Sequence, residues 1–483
     1  MIDPKLDDLN RVNSAIWKLD VTMASRRIGG INPWFYSRVI VWQWLQSAIL
    51  DTENAHSVSV KVSVSALANY VCQSLFRLPY FWARRNSVFI FSSGVVVIPD
   101  NQRYINRLYD RFVLRGKNKT TLIEDAVAKG YRRPRWIRRY ANNDGLRVIA
   151  VILGRLMGVP PQHKGSVRRF VNEVMRFLQS YGFQTDALGD VLQSHLEGRL
   201  SGSRFGIRLY RLLYTIKRPE LVVAEDACYG SRLMELRACR SMGIPTAEVQ
   251  HGNVSSNHLA YNLSQAAPLK LYALEYPDAL FLLSEYYTKK TNVPSMTRTV
   301  GSPHINRVIS GANGKRVTSP TEADRTILFV TQGTLSRVFD NFIDEYAELK
   351  PLGWQIVHKP HPGEDADYSL RYPKLAGRND VERSGSVVYD LLSQVSVVVG
   401  AYSTVLFEAI GFGHHPIVID HILTRANIDV ADFHIVEKPT DLTKDLLETV
   451  AMTADRRGKP FWPENPIERW DQAIVDITQG GSE

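Results

Sequence analysis

The chain has 483 residues, 44% of them apolar and 22% charged, with a net charge of +10. That much apolar material can core two or three domains of a soluble globular protein. Its longest apolar stretches (residues 39–50, 87–99 and 148–154) fall short of the roughly 20 residues that span a bilayer, so no transmembrane segment is expected. The start, "MIDPKLDDLN", lacks a basic residue run followed by an apolar core, so no signal peptide is expected either. Cys72, Cys228 and Cys239 have no paired metal spacing and are expected to be reduced thiols in a cytosolic protein.

The first 85 residues are predicted to be mostly helical and Trp-rich ("SAIWKL", "PWFYSRVIVWQWL"), packed on the first sheet. Strands are predicted at 87–92, 121–125, 220–226 and 246–250, then at 279–284, 326–331, 355–359, 395–400 and 416–420. Most are apolar throughout, the mark of parallel strands buried on both faces. Amphipathic helical patterns at 231–243 and 337–349 lie between them, which makes the chain α/β. Residues 262–278 carry no clear strand, and the domain boundary is placed there. The expected division is 1–270, a Rossmann-like domain with its helical segment, and 271–483, a second Rossmann-like domain whose last helix packs back on the first. Open sheets of this kind bind ligands at the carboxyl ends of their strands, so two such domains should meet at a cleft.

Charge divides unevenly. Residues 1–250 hold 37 Lys and Arg against 20 Asp and Glu, a net of +17, and the remainder 22 against 29, a net of −7. The densest basic stretch, "KGYRRPRWIRRY" (129–140), interleaves six cations with Tyr131, Trp136 and Tyr140. It reads as a solvated face, as a contact for an anionic membrane surface or acceptor, or as a nucleic-acid contact. No nucleic-acid-binding signature supports the last, so no nucleic acid is expected.

Five strand exits carry polar clusters. "VVVGAYSTVLFEA" (397–409) passes through Gly400 into Ser403 and Thr404 and then a helix, an anion site suited to phosphate or a plain helix cap. Glu408 lies four residues after Thr404 on the same helix face, where a ribose hydroxyl could be its partner. "TQGTL" (331–335) brings Gln332, Gly333 and Thr334 out through a glycine that lets backbone approach a ligand. "HKPHPGE" (358–364) holds His361 between Pro360 and Pro362 after Lys359; with His358 as its only neighbouring histidine, His361 suits a phosphate oxygen better than a metal. "VVAEDACYG" (222–230) ends a strand in Glu225 and Asp226, either a general base or the cap of the next helix. "EVQHGNVSSNH" (248–258) offers His251, a base or an ordinary loop histidine.

The acidic pair near a glycine, the "KPHP" and the Ser-Thr before a helix together resemble the GT-B glycosyltransferases, over roughly residues 220–420. More narrowly they are similar to the bacterial sialyltransferase and polysialyltransferase group and to capsule polysaccharide glycosyltransferases; teichoic-acid polyol-phosphate polymerases share the His-Pro and Ser-Ser pattern. The resemblance implies two Rossmann-like domains facing a cleft and a nucleotide-sugar donor as co-substrate, with no cofactor and no metal. It makes His361 a ligand of the donor phosphate, with Ser403 and Thr404 on the same phosphate, and Asp226 or Glu225 the base. The acidic pair departs from the pattern, being followed by Ala227 with Gly230 three residues later, and His251 is the substitute base. A CMP-sugar is the favoured donor and a UDP-sugar the alternative. The acceptor is a saccharide or lipid-linked saccharide, anionic in keeping with the basic first half, in bacterial surface-polysaccharide assembly. The expected place is the cytoplasm, at the inner face of the plasma membrane. A nucleotide-sugar 2-epimerase, a polyol-phosphate transferase and a non-catalytic nucleic-acid- or membrane-binding protein are the rival readings.

Overall fold

The computed structural model describes residues 4–49, 64–100, 102–126, 131–137, 139–312, 325–361, 364, 367–453 and 461–479. Before residue 300 these include strands β1 (Val88–Ser92), β2 (Val97–Asp100), β3 (Arg103–Asn106), β4 (Thr120–Glu124), β5 (Tyr140–Asn142), β6 (Leu221–Ala224), β7 (Thr246–Val249), β8 (Ala279–Leu282) and β9 (Met296–Thr299). Seven form one sheet in the order β5-β4-β1-β6-β7-β8-β9, every neighbouring pair parallel. β2 and β3 make a separate antiparallel hairpin. All five residues of β1 and of β4 are buried, as a parallel strand covered by helices on both faces requires.

The second sheet contains β10 (Thr326–Val330), β11 (Gln355–Lys359), β12 (Val381–Arg383), β13 (Val397–Gly400), β14 (Ile417–Ile419) and β15 (His434–Val436). Its order is β12-β11-β10-β13-β14-β15, again all parallel. The fold is therefore two Rossmann-like doubly wound sheets facing a cleft, the GT-B arrangement, with a helical N-terminal segment.

In both sheets the strand order reverses beside the first strand. The reversal falls between β1 and β6 in one and between β10 and β13 in the other, where an open parallel sheet leaves a crevice at its carboxyl edge. Those crevices receive the loops starting at Ser93 and Glu225, and at Thr331 and Ala401.

The boundary at residue 270 needs correcting. β8 and β9 belong to the first sheet, so the passage to the second lies between Thr299 and Thr326. Residues 262–278 look strandless because they are the crossover between β7 and β8, on which the N-terminal helices dock. Arg38 of helix Pro33–Ile49 pairs at 2.8 Å with Asp20 and also donates at 2.8 Å to the Asn262 carbonyl, while Tyr36 and Tyr272 donate to Glu275 and to the Asp20 carbonyl. β9 escapes sequence detection because it is a short edge strand, Met-Thr-Arg-Thr, with no fully buried residue. Helix Pro466–Gln479 returns to the first sheet, its Trp470 ring stacked 4.4 Å from Phe112.

Candidate active site

At the crevice of the first sheet, two left-handed residues bracket a single 3-10 turn. Asp226 (φ 64°) precedes Ala227–Tyr229 and Gly230 (φ 76°) follows it. An aspartate tolerates this conformation better than most residues. Gly230 has a steric reason as well, since a Cβ there would sit 2.8 Å from the Tyr36 ring. The displaced glycine thus closes the acidic loop against the N-terminal helices. Ser231 Oγ donates to the Asp226 carbonyl at 2.8 Å and Arg232 Nε to the Glu225 carbonyl at 2.8 Å, which brace the turn from behind.

The two adjacent carboxylates have different surroundings. Glu225 is 1% exposed and turned inward, where Ser93 N–H donates to it at 2.9 Å and Ser92 Oγ at 3.1 Å. Burial, with Asp226 beside it, pushes its pKa up to about 8. Both donors, Ser92 and Ser93, hold its Oε2 against the end of β1. Asp226 keeps 34% of its side chain exposed, and its Oδ1 lies 3.4 Å from Nε2 of His251. The other nitrogen of His251, Nδ1, is 3.4 Å from the Tyr261 hydroxyl and 3.9 Å from buried Glu248. Tyr261 and the Cys228 N–H each donate to Glu248 at 2.7 Å, so that carboxylate is a support for the histidine. With both ring nitrogens of His251 facing protein groups, the freer proton acceptor of the pair is Asp226.

Three loops meet at the crevice of the second sheet. Ser403 caps helix Thr404–Gly411, its Oγ accepting from Val405 N–H at 3.3 Å. Gln332 Oε1 accepts from Tyr402 N–H at 3.5 Å, and the Thr334 hydroxyl bonds that of Tyr402. Gly333 runs close to the next loop, since a Cβ there would lie 3.3 Å from Glu364 Oε1. Gly400 permits the tight exit from β13, where a Cβ would press on Val330 and Leu406 at 2.9 Å. Lys359 ends β11 with its ammonium 3.4 Å from the Ser384 carbonyl.

His361 is exposed on the loop after β11, and Pro362 lies outside the described residues. Its backbone is held by Glu364, which accepts from His361 N–H at 2.9 Å and donates its own N–H to the His361 carbonyl at 2.8 Å. Behind Glu364 runs a buried chain of short contacts: Tyr372 hydroxyl to Glu364 at 3.0 Å, Tyr372 to Thr331 at 2.9 Å, Thr331 to His358 Nε2 at 3.0 Å, and His358 Nδ1 to Tyr368 at 2.9 Å. His358 has both nitrogens engaged, and burial pushes its pKa down to about 3. It is a structural histidine, and Glu364 is the loop anchor that sequence reading missed.

A cavity lies between the sheets, lined by residues that follow β7 and β13. His251, Gly252 and Asn253 line it from the first sheet and Thr404, Phe407 and Glu408 from the second. Arg107 approaches Glu408 at 3.9 Å across the gap. Burial pushes the Glu408 pKa up, with Arg107 and the Tyr389 hydroxyl pulling the other way. Ser302, His304, Tyr389 and Trp462 complete the wall. Neither ring nitrogen of His304 has a protein partner among the described residues, nor do Asn253 Oδ1 and Trp462 Nε1, although all four atoms are buried. Burial pushes the His304 pKa down to about 4, with Arg111 and Arg107 adding to the effect. Unpaired buried polar atoms are costly, and their concentration along one cavity marks it as a place for a polar ligand. The cavity brings His251, Thr404 and Glu408 together; Ser403 and His361 stand on the neighbouring loops. The usable signal for His304 was "VGSPH" (300–304), another glycine exit carrying a Pro-His.

Within the basic stretch 129–140, Arg133 and Arg135 are committed to carboxylates, while Arg132 and Arg139 are exposed. Arg135 is buried between Asp110, at 2.9 Å, and Glu124; Arg133 pairs with Glu124 at 3.1 Å and covers the Tyr140 ring at 3.8 Å; Arg132 bonds the Val97 carbonyl. Buried carboxylates need such countercharges. Lys129 and Arg138 lie outside the described residues. Among the described residues no helix is long and apolar enough to cross a membrane.

Neither a protein-family model nor a curated protein matches the chain. Among solved structures it is similar to the UDP-GlcNAc 2-epimerase from Neisseria meningitidis bound to UDP-GlcNAc (10% identity, 80% of this chain and 99% of that one, TM-score 0.45). It is also similar to the wall teichoic acid polymerase TagF (11%, 87% and 94%, 0.42) and to the lipopolysaccharide outer core galactosyltransferase WaaB (12%, 80% and 99%, 0.42).

Proposed function

We propose that the chain is a glycosyltransferase that moves a sugar from a nucleotide-activated donor, a CMP-sugar in the first instance, to a saccharide acceptor in surface-polysaccharide assembly. The observation that supports this reading is the cavity lined by His251 from one sheet and by Thr404 and Glu408 from the other, with Asp226 beside His251 and Ser403 capping the helix that starts at Thr404. Breaking a sugar–phosphate bond builds positive charge at the anomeric carbon and negative charge on the leaving phosphate. Donors fixed on that phosphate, His361 with the hydroxyls of Ser403 and Thr404, lower the barrier by stabilising the developing charge. Glu408 suits a ribose hydroxyl, and the loop 332–334 with Lys359 completes the nucleotide side. Asp226, held by His251, takes the acceptor proton from the opposite side. This leaving-group chemistry calls on no metal, so turnover in EDTA is expected to persist.

The test is calorimetric titration of CMP, CDP, UDP and GDP into the protein and into Ser403→Ala. Selective CMP binding, weakened in the variant, supports the sialyltransferase-like donor. Tighter UDP or GDP binding keeps a nucleotide-sugar enzyme and discards that donor, and no binding by any nucleotide overturns the reading. Exchange of solvent deuterium into the donor sugar with no acceptor present would replace the transferase by a 2-epimerase, and phosphate retained in the product would replace it by a polyol-phosphate transferase.

A further inference from the structure

Helix Asp144–Met157 buries Leu146 and its small residues and leaves most of its large apolar ones outward. Gly145, Ala150 and Gly154 are buried, and a Cβ on Gly154 would lie 2.6 Å from the backbone of Ser201 on helix Leu188–Lys217. Val148, Ile152, Leu156 and Met157 face solvent, Leu156 77% exposed and Met157 68%. The segment before β1 packs on the start of this helix. The Leu78 side chain and the Ser74 carbonyl lie within 2.7 Å of where a Cβ on Gly145 would stand, and Leu75, Phe76 and Phe81 nearby are exposed, Phe76 77% and Phe81 74%. Large exposed apolar side chains gathered on two elements packed together mark an interaction surface, whereas single exposed apolar residues are ordinary.

The charges around the patch narrow the partner. Arg155 is exposed on the helix itself, Arg84 and Arg85 follow Phe81, and Arg204, Arg208 and Arg211 are exposed on the helix packed beside it. Residues 199–218 include no acidic side chain. A second copy of the chain would set these arginines against themselves, whereas anionic lipid headgroups neutralise them. At 14 residues the helix is about 21 Å long, too short to cross a hydrocarbon core of about 30 Å and suited to lying in the interface.

We infer that the face formed by helix Asp144–Met157 and the segment 71–82, rimmed by these arginines, docks on the surface of an anionic lipid bilayer. This goes beyond the transferase reading and does not depend on it.

The test is co-sedimentation of the full chain with phosphatidylcholine vesicles, with and without about one third phosphatidylglycerol. Binding is expected to the anionic vesicles and to weaken with salt. Ile152→Glu with Leu156→Glu should weaken it at least about tenfold, leaving nucleotide calorimetry unchanged because neither side chain borders the cleft. Arg204→Gln with Arg208→Gln, both at the exposed surface, should weaken it roughly thirtyfold, about fivefold per cation, and serves if the first pair fails to fold. The inference is overturned if the unaltered chain does not bind anionic vesicles, or if both variants bind as it does. A dimer that the apolar pair dissolves, in a chain that ignores vesicles, would overturn it in favour of self-association.

Discussion

The two sheets reverse their strand order in the same way and furnish the resulting crevices differently. Between β1 and β6 the crevice holds two carboxylates, one buried and one partly exposed, in a turn braced by Ser231 and Arg232. Between β10 and β13 it is lined by hydroxyls and glycines, and loops are held through Tyr402 and Glu364. A proton acceptor needs a fixed position and a controlled charge, which argues for the rigid acidic turn. A phosphate needs donors and close backbone approach, which argues for hydroxyls and glycine.

The sharpest test of this contrast lies within the acidic pair. Asp226→Asn should lower turnover by about two to four orders of magnitude, while Glu225→Gln stays within several-fold of the parent. Steady-state kinetics on both variants would invert the assignment if Glu225→Gln were the inactive one. On the other sheet, His361→Ala should cost about two orders of magnitude in turnover, as removal of a charge-stabilising donor does elsewhere. An unchanged rate in the folded variant would remove His361 from the mechanism.

Smaller effects separate position from contact. Tyr372→Phe takes one donor from Glu364 without touching ligand, so it should lower stability by about 0.5–1.5 kcal/mol. It should also reduce turnover several-fold with little change in nucleotide affinity, a split that a merely structural tyrosine would not give. Ser403→Ala should cost about 1 kcal/mol of stability through loss of the cap, measured by thermal unfolding, besides its effect on nucleotide binding.

The least visible effect is on pH dependence. The folded-state pKa of Glu225, about 8, is raised above the ordinary 4.5. Its favourable contribution is therefore complete below about pH 4.5 and is lost as pH rises through 8. Chemical denaturation from pH 5 to pH 9 should show this loss in the parent and a flatter profile in Glu225→Gln. Equal slopes would mean that Glu225 stays ionised in its crevice.

Apolar runs with parallel-sheet character, such as 87–92, 326–331 and 395–400, were legible as strands because burial on both faces leaves no room for polar residues. β9, β12 and β15 were not, since edge strands are short and half polar. The same locality limit governed the site. Glycine, proline and hydroxyl residues at strand exits announce a loop chemistry that any single sequence displays, which is how Ser403, Thr404, His361 and Asp226 came to notice. Arg107 and Trp462 carry no such local signature; they are made cavity residues by a fold that brings together positions hundreds of residues apart.

The sequence by itself determined the alternation of strand and helix, the two-sheet class and the residue types offered at each strand exit, because burial periodicity and turn chemistry are local. Only the tertiary structure decided which carboxylate of the pair is exposed, which histidine is locked in the core, and which arginines of the basic half are already paired. Those properties are set by desolvation and countercharge, and both depend on neighbours that the chain brings together only by folding.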